Sequence, residues 1–236
     1  MHIIKSILLS AIVLSATLCS AQNAHLKSVR HEVTSSHRQK KDKVKRDIPL
    51  ANRDFTHFEA GMAIMTMPNL MDDFSSGLHF GVTRACNLAR WKSPFFFQFG
   101  IEYNVVFNTI QTDGEVRSEK LGNVALPVSL LYRSELPRDV FMDVYFGPNF
   151  RFNSVGECKA NGKCIDYFED LCARGYQFGL NVGLSFKFPR FSVNYRFNPD
   201  LSDYYDAEEL HREHSRYDPK AQSKTHYHFL SLGYTF

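Results

Sequence analysis

From residue 55 onward the chain alternates apolar and polar residues in stretches of eight to fourteen positions. The most regular is Pro94–Phe107, PFFFQFGIEYNVVF. Phe95, Phe97, Phe99, Ile101, Tyr103, Val105 and Phe107 fall on one set of alternate positions, and Gln98, Gly100, Glu102 and Asn104 on the other. A period of two places the sets on opposite faces of a β-strand. The pattern recurs over Phe55–Met67, Gly77–Leu88, Asn123–Arg133, Val140–Phe152, Gly175–Phe188, Phe191–Asn198 and His226–Phe236, which makes eight predicted strands.

Each strand has one aromatic-rich apolar face. The opposite faces carry Glu59, Glu102, Arg133, Asp143, Arg151, Lys187 and Arg196 among small and amide residues. Such a face is too polar for the core of a sandwich. It suits the inside of a barrel, where charges pair and small side chains leave room. A soluble calycin-type barrel would put its apolar residues inside; here the apolar faces have no core to receive them. They are expected to meet lipid, and the strands have the length of an oblique bilayer crossing.

The predicted connections support a barrel in a membrane. Those after strands two, four and six are short: 89–92, 134–139 and 189–190. Those after strands one, three, five and seven are longer: 68–76, 108–122, 153–174 and 199–225. Short turns on one side and long loops on the other are the pattern of outer-membrane barrels. The fold expected is all-β: an eight-stranded antiparallel transmembrane up-and-down barrel with both termini periplasmic.

Composition agrees. Hydrophobic residues make up 44% of the 236 residues and aromatics 14%, with 21 Phe against one Trp. Met1–Ala21 reads as a signal peptide, with Lys5, an apolar run from Ile7 to Leu18, and a small-residue site at Cys19-Ser20-Ala21. That run is 12 residues, short of the ~20 of a spanning helix. Beyond it the longest uncharged runs are again 12 residues, so a membrane role falls to strands. Residues 22–53 form a separate segment, and eight Lys or Arg face three acids between Gln22 and Leu50. This reads as a disordered periplasmic arm, a tether or a contact for envelope polyanions. The net charge of +3 gives no reason to expect a nucleic acid. The barrel is expected over 54–236.

Candidate chemistry is sparse. Cys158, Cys164 and Cys172 share one predicted loop, where a disulfide between two of them would staple it; a three-thiolate metal site lacks CxxC spacing. Glu208, His211 and His214 recur every three residues, and a short helix would gather them on one face. His214, Ser215 and a loop Asp would be the candidates for hydrolysis, with no nucleophile motif around them. We expect no catalytic residue, cofactor or metal. The charges of the polar faces are expected to pair and fill the lumen, because eight strands enclose only enough space for side chains. Glu102, mid-strand, requires a basic partner, with Arg151 and Arg196 as candidates.

Several segments carry a family resemblance. GLHFGV, NVALPVSLLYR, DVFMDVYFGPNFRF, YQFGLNVGLSFKF, FSVNYRFN and the terminal HFLSLGYTF follow one another between Phe58 and Phe236. In that order they resemble the small outer-membrane β-barrel family of Bacteroidetes that includes the PorT-like proteins. The resemblance implies an outer-membrane protein of the Gram-negative envelope, with Leu232, Tyr234 and Phe236 as the signal read by the barrel-assembly machinery. It brings no catalytic residues. Expected partners are outer-membrane lipid, that machinery and an envelope protein met through the loops or the arm. Two other functions remain open at this point: a component of a type IX-like secretion apparatus, and a lipid-modifying enzyme.

Overall fold

The computed structural model describes residues 52–67, 74–89, 93–112, 115–160, 162–213 and 222–236. The expected signal peptide and basic arm, with His214 and Ser215, lie outside these residues. The described elements are β1 (Phe55–Thr66), β2 (Phe74–Asn87), β3 (Phe95–Thr112), β4 (Glu115–Leu136), β5 (Val140–Ala160), β6 (Lys163–Asp166), β7 (Tyr176–Lys187), β8 (Phe191–Pro199), α1 (Ala207–Glu213) and β9 (His226–Thr235).

Eight strands run as neighbours in the order β4-β3-β2-β1-β9-β8-β7-β5, and a β4–β5 pairing closes the ring. All these pairings are antiparallel. Closure satisfies each strand's backbone on both edges, as lipid demands. First and last strands meet where Phe58 pairs with Tyr234 and Met62 with Leu230.

The distribution of side chains is the reverse of a soluble domain. Phe97 and Phe99 are each 44% exposed on the outer wall, whereas Glu102 is 1% and Asp143 0% exposed inside. Alternation alone produces this: along β8, Ser192, Asn194, Arg196 and Asn198 are buried while Phe191, Val193 and Tyr195 are exposed. An outer wall of this composition is at equilibrium in hydrocarbon, not in water. The fold is thus the expected eight-stranded transmembrane barrel.

Two glycines make the lumen possible. A Cβ on Gly183 would lie 2.2 Å from the Tyr145 ring, and one on Gly233 2.1 Å from the His57 ring. Both rings therefore lie over a bare stretch of the neighbouring strand.

At the end where β1 begins and β9 finishes, three-residue turns join β4 to β5 (137–139) and β7 to β8 (188–190). Arg138 and Asp139 take left-handed φ values of 68° and 57° in the first of these. The far end differs from expectation. Segment 108–122 and the first part of 153–174 do not remain loops, whereas 167–175 does, between β6 and β7. β3 and β4 stay paired up to Thr112 and Glu115, with two residues between them, and β4 pairs with β5 up to Arg117 and Ala160. Beyond Ala160 the chain turns through Gly162, φ 76°, into β6, a ninth strand that pairs with the extension of β5 outside the ring. The reason is chemical. A strand needs an apolar face only where it meets lipid, so beyond the membrane both faces become polar and the alternation fades. Loop lengths do not alternate strictly either, since β1–β2 (67–73) and β2–β3 (88–94) are both joined by seven residues.

β4 has 22 residues and β5 21. A tilted strand crosses a bilayer in roughly 9–11, so about half of each projects beyond it. Together β3, β4, β5 and β6 form a sheet standing above one side of the barrel.

Candidate functional site: the charged lumen and its cap

The strand register stacks the inward residues in three layers. Nearest the termini, Arg133 donates to Asp143 through Nε at 2.7 Å and Nη2 at 2.8 Å. The Lys187 Nζ lies 3.0 Å from the same carboxylate. Both cations also sit on the Phe55 ring, Arg133 at 4.2 Å and Lys187 at 3.7 Å from its centre. Phe55, Ala85, Phe96, Leu131 and Tyr145 surround them as a small apolar core. Cation–π contact in such dry surroundings adds to the ion pairs.

In the middle layer Arg196 divides its guanidinium between two carboxylates. Nη1 pairs with Glu102 and Nη2 with Glu59. Glu59 also accepts from Ser231 at 2.9 Å and Asn194 at 3.2 Å, and His79 Nε2 lies 3.3 Å from it. A chain of amides then leads outward: His79 Nδ1 is 2.6 Å from Asn104, Asn104 donates to Asn123 at 2.9 Å, and Asn123 to the Tyr227 hydroxyl at 3.0 Å.

In the third layer the Arg151 guanidinium stacks 4.0 Å from the centre of Tyr227 and pairs with Asp200, which also accepts from Thr225. Of the two candidate partners for Glu102, the structure uses Arg196; Arg151 goes to Asp200 instead. All seven charges of the expected lumen set are thus inside, in three separate groups. Asp200 completes the third group. Parity carries it inward two residues after Asn198, but it follows Pro199 and therefore reads as loop. His57 and His79 sit on polar faces by the same parity.

Above the lumen lies an apolar cap: Met65, Met67, Leu121, Cys158, Tyr167, Tyr204 and Tyr227 pack as one buried cluster. Tyr167 donates to Glu119 at 2.6 Å, and Arg117 Nε lies 3.8 Å from that carboxylate and 3.0 Å from Cys158 Sγ. Burial first, and then the bond to Glu119, push the Tyr167 phenol well above its ordinary value. Burial does the same to Tyr204.

Both ends of the lumen are therefore filled. A cavity of about 10 Å³ between His57, Glu59, Asp143 and Lys187 has room for about one water.

The other candidate groups stay apart. Cys158 pairs with Ile165 and Lys159 with Cys164, so Cys158 and Cys164 point to opposite faces of the β5–β6 ribbon. Cys158 is buried and Cys164 exposed, and neither is in a disulfide. Cys172 is half-buried in the segment before β7, where its carbonyl accepts from Asp206, and it is bonded to neither of the other two. No disulfide joins these three in this structure, and for Cys158 and Cys164 the ribbon turns the two thiols away from one another. Glu208 and His211 do lie on a helix, α1, but no group of three metal-ligating side chains forms among the described residues. Leu232 and Phe236 lie on the outer wall, 69% and 73% exposed, and the Tyr234 ring packs on Phe236 at 4.7 Å.

No family model matches the chain, and no curated protein does. Among solved structures it is similar to Ail, the attachment invasion locus protein of Yersinia pestis, crystallised with the heparin analogue sucrose octasulfate. The identity is 11%, over 78% of this chain and 99% of that one, at a TM-score of 0.42. Neisserial surface protein A matches at 12% identity over 77% and 95% of the chains, TM-score 0.42. The N-terminal β-barrel domain of Pseudomonas aeruginosa OprF matches at 9% over 77% and 97%, TM-score 0.36.

Proposed function

We propose that the protein is a non-enzymatic integral outer-membrane barrel that anchors a contact surface, the projecting β3–β4–β5–β6 sheet with its cap, outside the cell. The observation that carries this reading is the pairing of a filled lumen with strands about twice as long as a crossing requires. A barrel packed with paired charges offers no path for solutes, and the extra strand length is spent on a rigid platform beyond the lipid. In this reading the termini and short turns are periplasmic. The basic segment 22–53 is then placed to reach an envelope partner, and Leu232, Tyr234 and Phe236 to be read during assembly. The ordered PorT-like segments support a place in that outer-membrane family.

The test is an epitope inserted between Asp113 and Gly114 in the full-length protein. Antibody should label it on intact cells, and the outer-membrane fraction should change mobility on gels when boiled. Labelling only after permeabilisation would reverse the orientation. Mobility unaffected by boiling would refute the barrel.

A further inference from the structure

The outer wall of β1, β8 and β9 is apolar until it reaches the far end of β9. From Leu230 to Tyr234 the outward residues of β9 are suited to hydrocarbon, and no carboxylate among the described residues lies on the outer face of these three strands. The next two outward positions are His228 and His226, both half-exposed. Lys224 follows on the same line, half-exposed between the inward Ser223 and Thr225. Three nitrogen bases thus stand in a column directly above the apolar band.

The imidazoles are held in place. His228 Nδ1 lies 2.9 Å from the Tyr195 hydroxyl, and its ring stacks on Phe197 at 4.8 Å and 29°. Phe197 also touches the His226 ring at 6.0 Å, where the His226 Nδ1 is buried with no hydrogen-bond partner. With Nδ1 of each ring turned to the wall, Nε2 is the nitrogen left to meet the surroundings. Polar groups left without partners in hydrocarbon are costly. An imidazole pair on a lipid-facing wall therefore marks the level at which hydrocarbon gives way to headgroups, where Tyr residues such as Tyr195 also gather.

We propose that Lys224, His226 and His228 form a binding site for the phosphate of a membrane-lipid headgroup. The two histidines are two residues apart on a strand, ~7 Å at ~3.3 Å per residue, a span that lets both rings donate to one tetrahedral anion. The ammonium of Lys224 supplies charge from above; among the described residues the outer faces of β1, β8 and β9 carry no acid, and the nearby Asp203 carboxylate accepts from the Ser223 N–H at 2.8 Å. The apolar wall below continues from the site and receives the acyl chains. A lipid satisfies both parts of this surface at once, whereas a soluble phosphate satisfies only the upper part.

This proposal rests on the barrel spanning a membrane, and the experiment separates the two. The full-length protein, in non-ionic detergent micelles, is given equimolar phosphatidic acid and phosphatidylcholine of matched chains. Retained lipid is then counted by native mass spectrometry. Wild type should keep several-fold more phosphatidic acid, and K224Q/H226Q/H228Q should fall to the level of phosphatidylcholine while still changing mobility on boiling. Equal retention of the two lipids by wild type, or full retention by the variant, overturns the site. Displacement by inorganic phosphate at the lipid's concentration overturns a lipid as the occupant. If the triple variant does not fold, K224Q and H226Q singly should each lose part of the preference, and no loss in either overturns it. Wild type that ignores boiling refutes the membrane reading; a heat-modifiable wild type without lipid preference refutes only the site.

Discussion

Arg196 is the residue on which most of the lumen depends. Its one guanidinium is shared between Glu59 and Glu102, which are buried on β1 and β3. Removing a partner from a buried ion group typically costs ~3–5 kcal/mol, because the remaining charge is left unpaired. Arg196→Met should therefore lower the unfolding free energy in detergent by about that amount. Glu102→Gln should cost less, since Glu59 still holds the arginine and the amide can accept. Equal losses in denaturant titrations of the two variants would show that Glu59 does not share the load. Gly183 is the second sensitive position. Gly183→Val would drive a branched side chain into the Tyr145 ring, 2.2 Å from where its Cβ must go. The folded, heat-modifiable fraction should fall sharply, and G183V/Y145A should recover part of it. The need of Glu102 for a cation was legible in the sequence, because a mid-strand carboxylate facing a closed lumen has no other partner. Which arginine it takes was not, since that depends on strand register across 94 residues of chain.

At the scale of elements, every strand within the membrane was legible, because lipid on one side and charge on the other force a period of two. The projecting hairpins were not, although each carries a local sign: Asp113-Gly114 and Asn161-Gly162 are the dipeptides that two-residue hairpin turns favour. Once free of lipid, Thr109, Thr112 and Val116 show β-formers without a face, and the segment reads as loop. The β5–β6 register predicts distinct thiol chemistry: a maleimide should label exposed Cys164 in the folded protein and leave buried Cys158 untouched until unfolding. Labelling of both at equal rates, followed by mass, would contradict the ribbon. The cap has its own pH signature. Because the Tyr167 phenol is held above its unfolded value of ~10, its contribution is complete below that pH and is lost as pH rises beyond it. Protease sensitivity of the 163–175 segment should increase above about pH 10 in wild type. Tyr167→Phe, which leaves Glu119 buried without its donor, should already cost ~1–3 kcal/mol of cap stability at neutral pH, and less of its sensitivity should depend on alkali.

The barrel unit, taken by itself, is a closed ring with a filled lumen and strands projecting from one side. Among the described residues, paired charges at three levels and apolar clusters at both ends fill the lumen. Planar bilayers holding the pure protein should therefore show no large, stable single-channel conductance. Sustained openings of porin size would mean that the lumen rearranges. Fold class and facing were accessible from the recurring alternation with the predicted connections and composition beside it, since a closed ring is what satisfies strands in lipid. The platform was beyond reach for the same reason in reverse, because water imposes no such rule on strands outside the bilayer.

The long shared course of β4 and β5 also determines how the barrel responds to force. The two strands pair from Leu136–Val140 beside the short turn to Arg117–Ala160 near the tip, with a register shift at Gly122/Asn123. A pull on the tip, directed away from the membrane, runs nearly parallel to these strands. It meets their ladder lengthwise, so many hydrogen bonds share the load together and do not open one after another. Tension is delivered to the lumen's ion pairs, not to a flexible stalk. The platform is built to yield late.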